Sequence, residues 1–327
     1  MLTIQQLEQR KSGIGGSDAA AICGVSKWRT PLYIYLTKTT DIIPVIENPI
    51  FERGHILEPL IKELFVRQFK KEVKTDIPTI RCNEFSYMMA NLDGIIESEN
   101  AVVEFKHYNK FMEKDWGEDY TDQVPEDYLL QVQHYLSVTK LKKAYIVPFF
   151  SNQETFQLIY SFILKEGVKR FFDVFDYQSF PLRIFEIFPN ETLFKPLRQI
   201  EGDFWHKHVE KNVPPSWKTK EDLAHLFPVA EDKSIIANYE DMKILSEINQ
   251  KNTVIETLEK EIEEKKLKLC AKLKESSFLK SPEGQILATW KNQDRISLDS
   301  KALLKEYPEI GSKFQTKKTM RVLRIGK

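Results

Sequence analysis

The sequence predicts an α/β (α+β) fold, a mixed β-sheet flanked by helices, followed by one long helix and a small β-rich unit. Three runs carry this prediction. Between residues 52 and 69 the apolar side chains Ile56, Leu57, Leu60, Ile61, Leu64 and Phe65 recur at helical spacing. Short β-rich runs bounded by polar turns follow at 77–81, 85–90, 94–97 and 101–106, reading as a meander of strands. Helical spacing returns over 125–141, ahead of two further runs, 144–150 and 155–164, that read as strands. Helix, antiparallel strands, helix and strand is the order of a sheet covered by helices.

Upstream, residues 5–10 read as a short helix. Gly13-Ile14-Gly15-Gly16-Ser17-Asp18 then reads as a glycine turn opening a second helix, capped by Ser17 or Asp18, and Thr30-Pro31 opens a third over 32–36. Downstream, 165–205 reads as helix around a proline-rich interruption, and Val213-Pro214-Pro215 suggests a boundary between domains 1–215 and 216–327. Over 234–274 Ile248, Ile255, Ile262 and Leu269 fall seven apart, with Leu258 between them and Glu and Lys around them. This fits a helical arm, a coiled-coil-like hairpin, or a surface helix packed on its own domain. Alternating runs at 284–290, 295–298 and 320–325 predict the β-rich tail.

Composition sets limits on function. The chain has 327 residues, 42% hydrophobic and 29% charged, as ordinary globular proteins do and unlike disordered or membrane chains. Lys plus Arg and Asp plus Glu each number 48, so no global field draws the chain onto a polyanion and nucleic-acid binding needs a local patch. One candidate is the tail, where Lys301, Lys305, Lys313, Lys317, Lys318, Arg321, Arg324 and Lys327 outweigh Glu306 and Glu309. Cys23, Cys82 and Cys270 are too far apart for a metal–thiolate cluster and fit a reducing compartment. No run of about 18 apolar residues and no signal-peptide core is present, so a cytoplasmic protein without membrane contact is expected.

The chemistry concentrates in Asn91-Leu92-Asp93-Gly94 and Val102-Val103-Glu104-Phe105-Lys106. On a strand Glu104 and Lys106 project to one face and Val103 and Phe105 to the other. If the preceding turn brings Asp93 alongside, two carboxylates and the Phe105 carbonyl form a hard oxygen set suited to Mg²⁺, beside an ammonium that stabilises phosphoryl charge. Phosphodiester hydrolysis needs this combination; an exposed ion pair on an edge strand is the plain structural alternative. Glu58, followed by Pro59 on the amphipathic helix, offers a further carboxylate, and Gln131 and Tyr135, one turn apart, share a helix face that can reach the same place. His55, His107 and His134 lie near these motifs without metal-ligand spacing and read as supporting or surface groups.

The ordered set Arg10, Gly15-Gly16-Ser17-Asp18, Arg53-Gly54, Glu58, Asp93, Glu104-Phe105-Lys106 and Gln131-x-Gln-x-Tyr135 resembles the YqaJ-type phage recombination exonucleases. These are relatives of lambda exonuclease within the PD-(D/E)xK nuclease superfamily. The resemblance implies a restriction-endonuclease-like core in which Glu58, Asp93, Glu104, Lys106 and Gln131 are catalytic. Asp93, Glu104, Phe105 and Glu58 would hold Mg²⁺, for which Mn²⁺ substitutes. It also implies that Arg10 and Ser17 grip a 5′-phosphate, and Trp28 is a candidate to stack on a terminal base. The activity implied is 5′-to-3′ digestion of linear double-stranded DNA, leaving 3′ overhangs for a single-strand annealing protein, by a homo-oligomer that can close into a ring. A structure-specific or restriction-type endonuclease on the same fold and a non-catalytic DNA-binding or assembly protein stand as alternatives.

Overall fold

The computed structural model describes residues 4–40, 49–314 and 321–326, and the chain forms two compact units, Met1–Leu223 and Ala224–Lys327. The first unit begins with α1 (Ile4–Lys11), the two-residue strand β1 (Ile14–Gly15), α2 (Gly16–Ile22) and α3 (Pro31–Thr39). Thr30 caps α3 by accepting the Tyr33 N–H at 3.1 Å. The cap of α2 differs from the sequence reading. Its N-cap is Gly15, and Asp18 reaches back from inside the helix to accept the Gly15 N–H at 3.1 Å, while Ser17 lies within the first turn.

The amphipathic helix α4 (Pro49–Phe69) buries Leu57, Leu60, Ile61, Leu64 and Phe65, as its spacing predicts, and keeps Pro59 on its exposed side. The β-rich stretch that follows divides between two sheets instead of forming one meander. β2 (Ile80–Arg81) and β3 (Met88–Ala90) join β1 in a small sheet of order β1-β3-β2, with β1 parallel and β2 antiparallel to β3. β4 (Gly94–Ile96) and β5 (Ala101–Asn109) open the main sheet as an antiparallel pair with Gly94 opposite Val103. Helix α5 (Glu126–Thr139) carries the chain back across, so β6 (Lys143–Ser151) runs parallel to β5, and β7 (Phe185–Ile187) closes the order β4-β5-β6-β7. The sheet is therefore mixed, and the fold is α/β with helices against its faces.

Residues 155–164 belong to a helix, α6 (Gln153–Val174), and not to the predicted strand. Phe156, Ile159 and Ile163 are buried at spacings of three and four while Leu158 and Leu164 are exposed, a helical period that the dense apolar run disguised. Together α4 and α6 cover the sheet face formed by Val103, Phe105, Val147 and Phe149. Strand alternation sends Glu104 to the opposite face, where α5 lies.

After β7, α7 (Glu191–Phe204) runs into a single π turn, Trp205–Val209. The unit continues past Pro215 because Asp222, on α8 (Lys220–Leu226), is buried, accepts the Lys218 and Thr219 N–H groups at 2.8 and 3.1 Å, and takes the Thr30 hydroxyl. The second unit holds α9 (Tyr239–Leu273), closed at its N-terminus by a reciprocal Asn238–Asp241 capping box, and the antiparallel hairpin of β8 (Phe278–Lys280) and β9 (Ile286–Thr289). The predicted β-rich tail is confined to that hairpin. Residues 295–298 and 321–325 form no strand; α10 (Ser300–Glu306) and α11 (Pro308–Phe314) occupy the stretch between them instead. Met320, with Lys317, Lys318 and Lys327 of the basic tail, lies outside the described residues.

Candidate active site

Asp93 sits in the short link between the two sheets, and its Oδ2 accepts the Phe105 N–H at 2.8 Å. That bond extends the β4–β5 pairing by a side chain and fixes the carboxylate next to the chemistry-bearing half of β5. Glu104, 3% exposed, is held by two donors: its Oε1 accepts Lys106 Nζ at 2.6 Å and Gln131 Nε2 at 2.6 Å. Gln131 Nε2 also donates to the Tyr135 hydroxyl at 3.0 Å. Of the expected one-turn pair on α5, Gln131 supports Glu104 directly and Tyr135 only through Gln131, and the Lys106 ammonium lies 6.0 Å from the Tyr128 ring centroid. The other oxygen of Glu104, Oε2, is buried with no hydrogen-bond partner. A buried unpartnered carboxylate oxygen is costly, and it calls for a cation or a proton.

The electrostatics carry the same message. Burial, and then the Glu104 charge, push the Asp93 carboxyl well above its ordinary range, with Glu58 adding to the rise and Lys106 and the Phe105 N–H opposing it. Glu58 is raised by burial and by Glu104. Burial alone would lower Lys106, but Glu104 and Asp93 outweigh it and hold the ammonium above its usual value. Glu58, Asp93 and Glu104 therefore feel one another and crowd negative charge into one place. Among the described residues, however, no three His, Cys, Asp or Glu side chains converge as a ready metal cluster. The donor set fits a hard divalent cation by chemistry, through oxygen ligands only, with one buried oxygen left over.

The Gly-Gly-Ser-Asp turn packs on the helix that serves this site. A Cβ built on Gly16 would lie 2.4 Å from Tyr135 Cε1 and 2.9 Å from the Gln131 carbonyl oxygen, so α2 approaches α5 as only glycine permits. Gly16→Ala is expected to destabilise the fold by about 1–3 kcal/mol, the usual cost of an overpacked contact, and chemical denaturation of the two proteins measures it.

Beside Gly16, Asp18 is buried. Burial alone would raise its carboxyl, but Lys38, at 2.7 Å, and Arg29 outweigh that and bring it to about 2, so it stays ionised. Arg29 also donates to the Ser17 carbonyl. Ser17 and Arg29 are thus brought together. Arg10 is exposed at the end of α1, near enough for its charge to act on Asp18 and Tyr33, and Trp28 is 65% exposed. The Gly15 N–H is taken by Asp18.

Arg29 and Tyr128 were not singled out by sequence reasoning. Their only signals were adjacency to Trp28 and helical spacing ahead of Gln131. His134 corrects a reading: it is no surface or supporting group of the site but fully buried, with Nδ1 2.8 Å from Glu201 Oε1 and Nε2 2.9 Å from the Met89 carbonyl. His107 contacts Ser151 Oγ at 2.8 Å and stacks on Phe156, and the His55 side chain lies outside the described residues.

Comparison with known proteins finds similarity in the N-terminal part. Residues 5–142 match the YqaJ-like viral recombinase domain family, a span running from α1 through the whole candidate site to the end of α5. Over this segment the chain is similar to that family. Over 319 residues the chain is 28% identical to the uncharacterized protein YqaJ of Bacillus subtilis (strain 168), covering 94% of this chain and 89% of that protein. Among solved structures it is similar to an alkaline exonuclease, LHK-Exo, from Laribacter hongkongensis. The identity is 16% and the TM-score 0.46, over 64% of this chain and 94% of that one. A phage-related exonuclease from Haemophilus somnus 129PT is 13% identical with a TM-score of 0.43, over 61% of this chain and 96% of that one. The similarity to the B. subtilis protein extends over both compact units.

Proposed function

We propose that this chain is a divalent-metal-dependent exodeoxyribonuclease that digests one strand of linear duplex DNA from its 5′ end and leaves 3′ overhangs for recombination by annealing. The observation that carries the reading is the Glu104–Lys106 pair of β5. Glu104 is buried, held by Lys106 and Gln131 through one oxygen, bare at the other, and electrostatically joined to Asp93 and Glu58. Its setting on a mixed sheet, at the end of an antiparallel pair and beside a parallel strand, supports a PD-(D/E)xK-like core. The match of residues 5–142 to the YqaJ-like viral recombinase domain family points the same way.

In this reading Asp93, Glu104 and the Phe105 carbonyl, with Glu58 close by, would hold Mg²⁺ or Mn²⁺. When bound, that cation supplies positive charge to the scissile phosphate and acidifies water. Lys106, oriented by Glu104 Oε1, steadies the attacking hydroxide and the negative charge growing on the phosphoryl oxygens. Gln131, tied to Tyr135, keeps Glu104 turned toward the substrate. Arg10, Ser17 and Arg29 hold a 5′-phosphate, and Trp28 stacks on the terminal base. A ring of copies and a single-strand annealing protein are the partners this activity calls for, with the nuclease chemistry in the first unit and an accessory role for the second.

Linear duplex DNA labelled separately at its 5′ and 3′ ends, digested beside a covalently closed circle with Mg²⁺ or with EDTA, tests the proposal. Early release of the 5′ label, survival of the circle and silence in EDTA are expected. Cutting of the circle would replace the exonuclease with an endonuclease, and early release of the 3′ label would reverse the polarity.

A further inference from the structure

Helix α9 runs for 35 residues and, at 1.5 Å per residue, about 52 Å, yet it buries almost nothing. Ile244, Ile255, Leu258 and Ile262 are each 51% exposed and Leu269 is 43% exposed, while Ile248 is only partly covered. In a heptad frame with Ile248, Ile255, Ile262 and Leu269 at one seam position, the second seam position is held by Ile244, Lys251, Leu258, Lys265 and Lys272. One seam position is wholly apolar and the other is mostly lysine, and the lysines select its partner.

In a parallel pair of identical helices Lys251, Lys265 and Lys272 would each face its own copy, placing like charges together in three layers. In an antiparallel pair the two seam positions face each other instead. The register that sets Ile255 against Leu258 of the second copy also sets Ile244 against Leu269, and lays the Lys251 and Lys265 stems along Ile262 and Ile248. The charges on the flanks then agree. Residues 265–274 carry Lys265, Lys266, Lys268, Lys272 and Lys274 and no acid, and this end meets the partner's N-terminal half, where Glu247 stands beside Lys268. Among the described residues neither Lys268 nor Lys272 has an ion pair within its own chain, so both are available.

We infer that α9 is a self-association arm, and that its occupant is α9 of a second copy of this chain, antiparallel and in the Ile255–Leu258 register. Charge complementarity supplies the orientation and the isoleucine–leucine layers the contact. Nothing in this depends on the nuclease reading.

The test uses the full-length chain and sedimentation velocity at micromolar concentration. Lys268→Glu is expected to weaken association at least tenfold, and adding Glu247→Lys to the same chain is expected to restore it, because only the antiparallel register brings these two residues together. In a Cys270→Ser background, Ile255→Cys combined with Leu258→Cys is expected to cross-link two chains on oxidation. An assembly formed through the other unit would move neither readout. The inference is overturned by failure of the charge exchange to rescue, by association insensitive to Lys268→Glu, or by a chain that stays monomeric. A disulfide between native Cys270 residues would also overturn it, since the antiparallel register holds them about 40 Å apart.

Discussion

Lys106→Ala is expected to lower the rate of duplex cleavage by about 10³-fold, the scale of removing one preorganised charge from a hydrolytic site. The fold should be unaffected. The Lys106 side chain is one-quarter exposed and contributes to the core mainly by passing the Tyr128 ring, so its loss opens no large cavity. What it does remove is one of the two donors to Glu104 Oε1 and an ammonium whose charge acts on Asp93. The measurement is single-turnover cleavage of end-labelled DNA together with far-ultraviolet circular dichroism and a thermal melt. Activity within a factor of three of wild type would make Lys106 the partner of a structural ion pair, and the chemistry would have to be sought elsewhere. Loss of activity together with loss of the melt would point to folding and not to catalysis.

The largest expected effect on stability belongs to Glu201→Ala. His134 is fully buried on α5 between α7 and β3, and a carbonyl oxygen can only accept, so Nε2 carries the hydrogen it gives to Met89. Nδ1 then shares a proton with Glu201, and removing the carboxylate leaves a histidine nitrogen without a partner in a closed core. Breaking a buried pair from one side costs about 3–5 kcal/mol.

A pH dependence follows from the same pair. Burial pulls the His134 pKa down, but Glu201 and the Met89 carbonyl outweigh it and hold it above its ordinary value of 6.5. A base whose pKa is raised by folding contributes its full stabilisation below the unfolded pKa and loses it as pH climbs through the folded one. Wild-type stability is therefore expected to fall from neutrality into the alkaline range, and Glu201→Ala to flatten that slope. Urea denaturation across a pH series checks both; a wild-type curve that rises with pH over this interval would contradict the assignment.

Much of the first unit is legible in the sequence because its signals are local. The α4 stripe, the Thr30-Pro31 start of α3 and the Glu104/Lys106 alternation each follow from spacing within a few residues. What fails is non-local or degenerate. The run at 155–164 is so apolar that helix and strand periods both fit it, and burial on the β5–β6 face decides for the helix. The division of the β-rich stretch between two sheets depends on β1, a two-residue strand with no periodicity to read. His134 looks like one more polar residue in Gln131-Val132-Gln133-His134-Tyr135, and only Glu201, 67 positions away, reveals it as core.

The site shows the same split. Asp93, Glu104, Lys106 and Gln131 come together as their motif suggests. Arg29 and the close approach of Gly16 to Tyr135 required the packing of α2 on α5 to be seen. The second unit was least legible, because its exposed helices have few buried positions to impose a pattern.

Calorimetric titration with Mn²⁺ tests whether the acid cluster around Glu104 Oε2 holds a divalent cation, as proposed. Wild-type protein and Glu104→Gln would be titrated in two buffers of different ionisation enthalpy, so that protons released on binding are counted. Wild type is predicted to bind Mn²⁺ and release protons, because burial and mutual repulsion hold the Asp93 and Glu58 carboxyls above their ordinary range. Glu104→Gln is predicted to bind at least tenfold more weakly. Equal affinity in the two proteins, or binding without proton release, would contradict the account and leave the cluster a structural feature of β5.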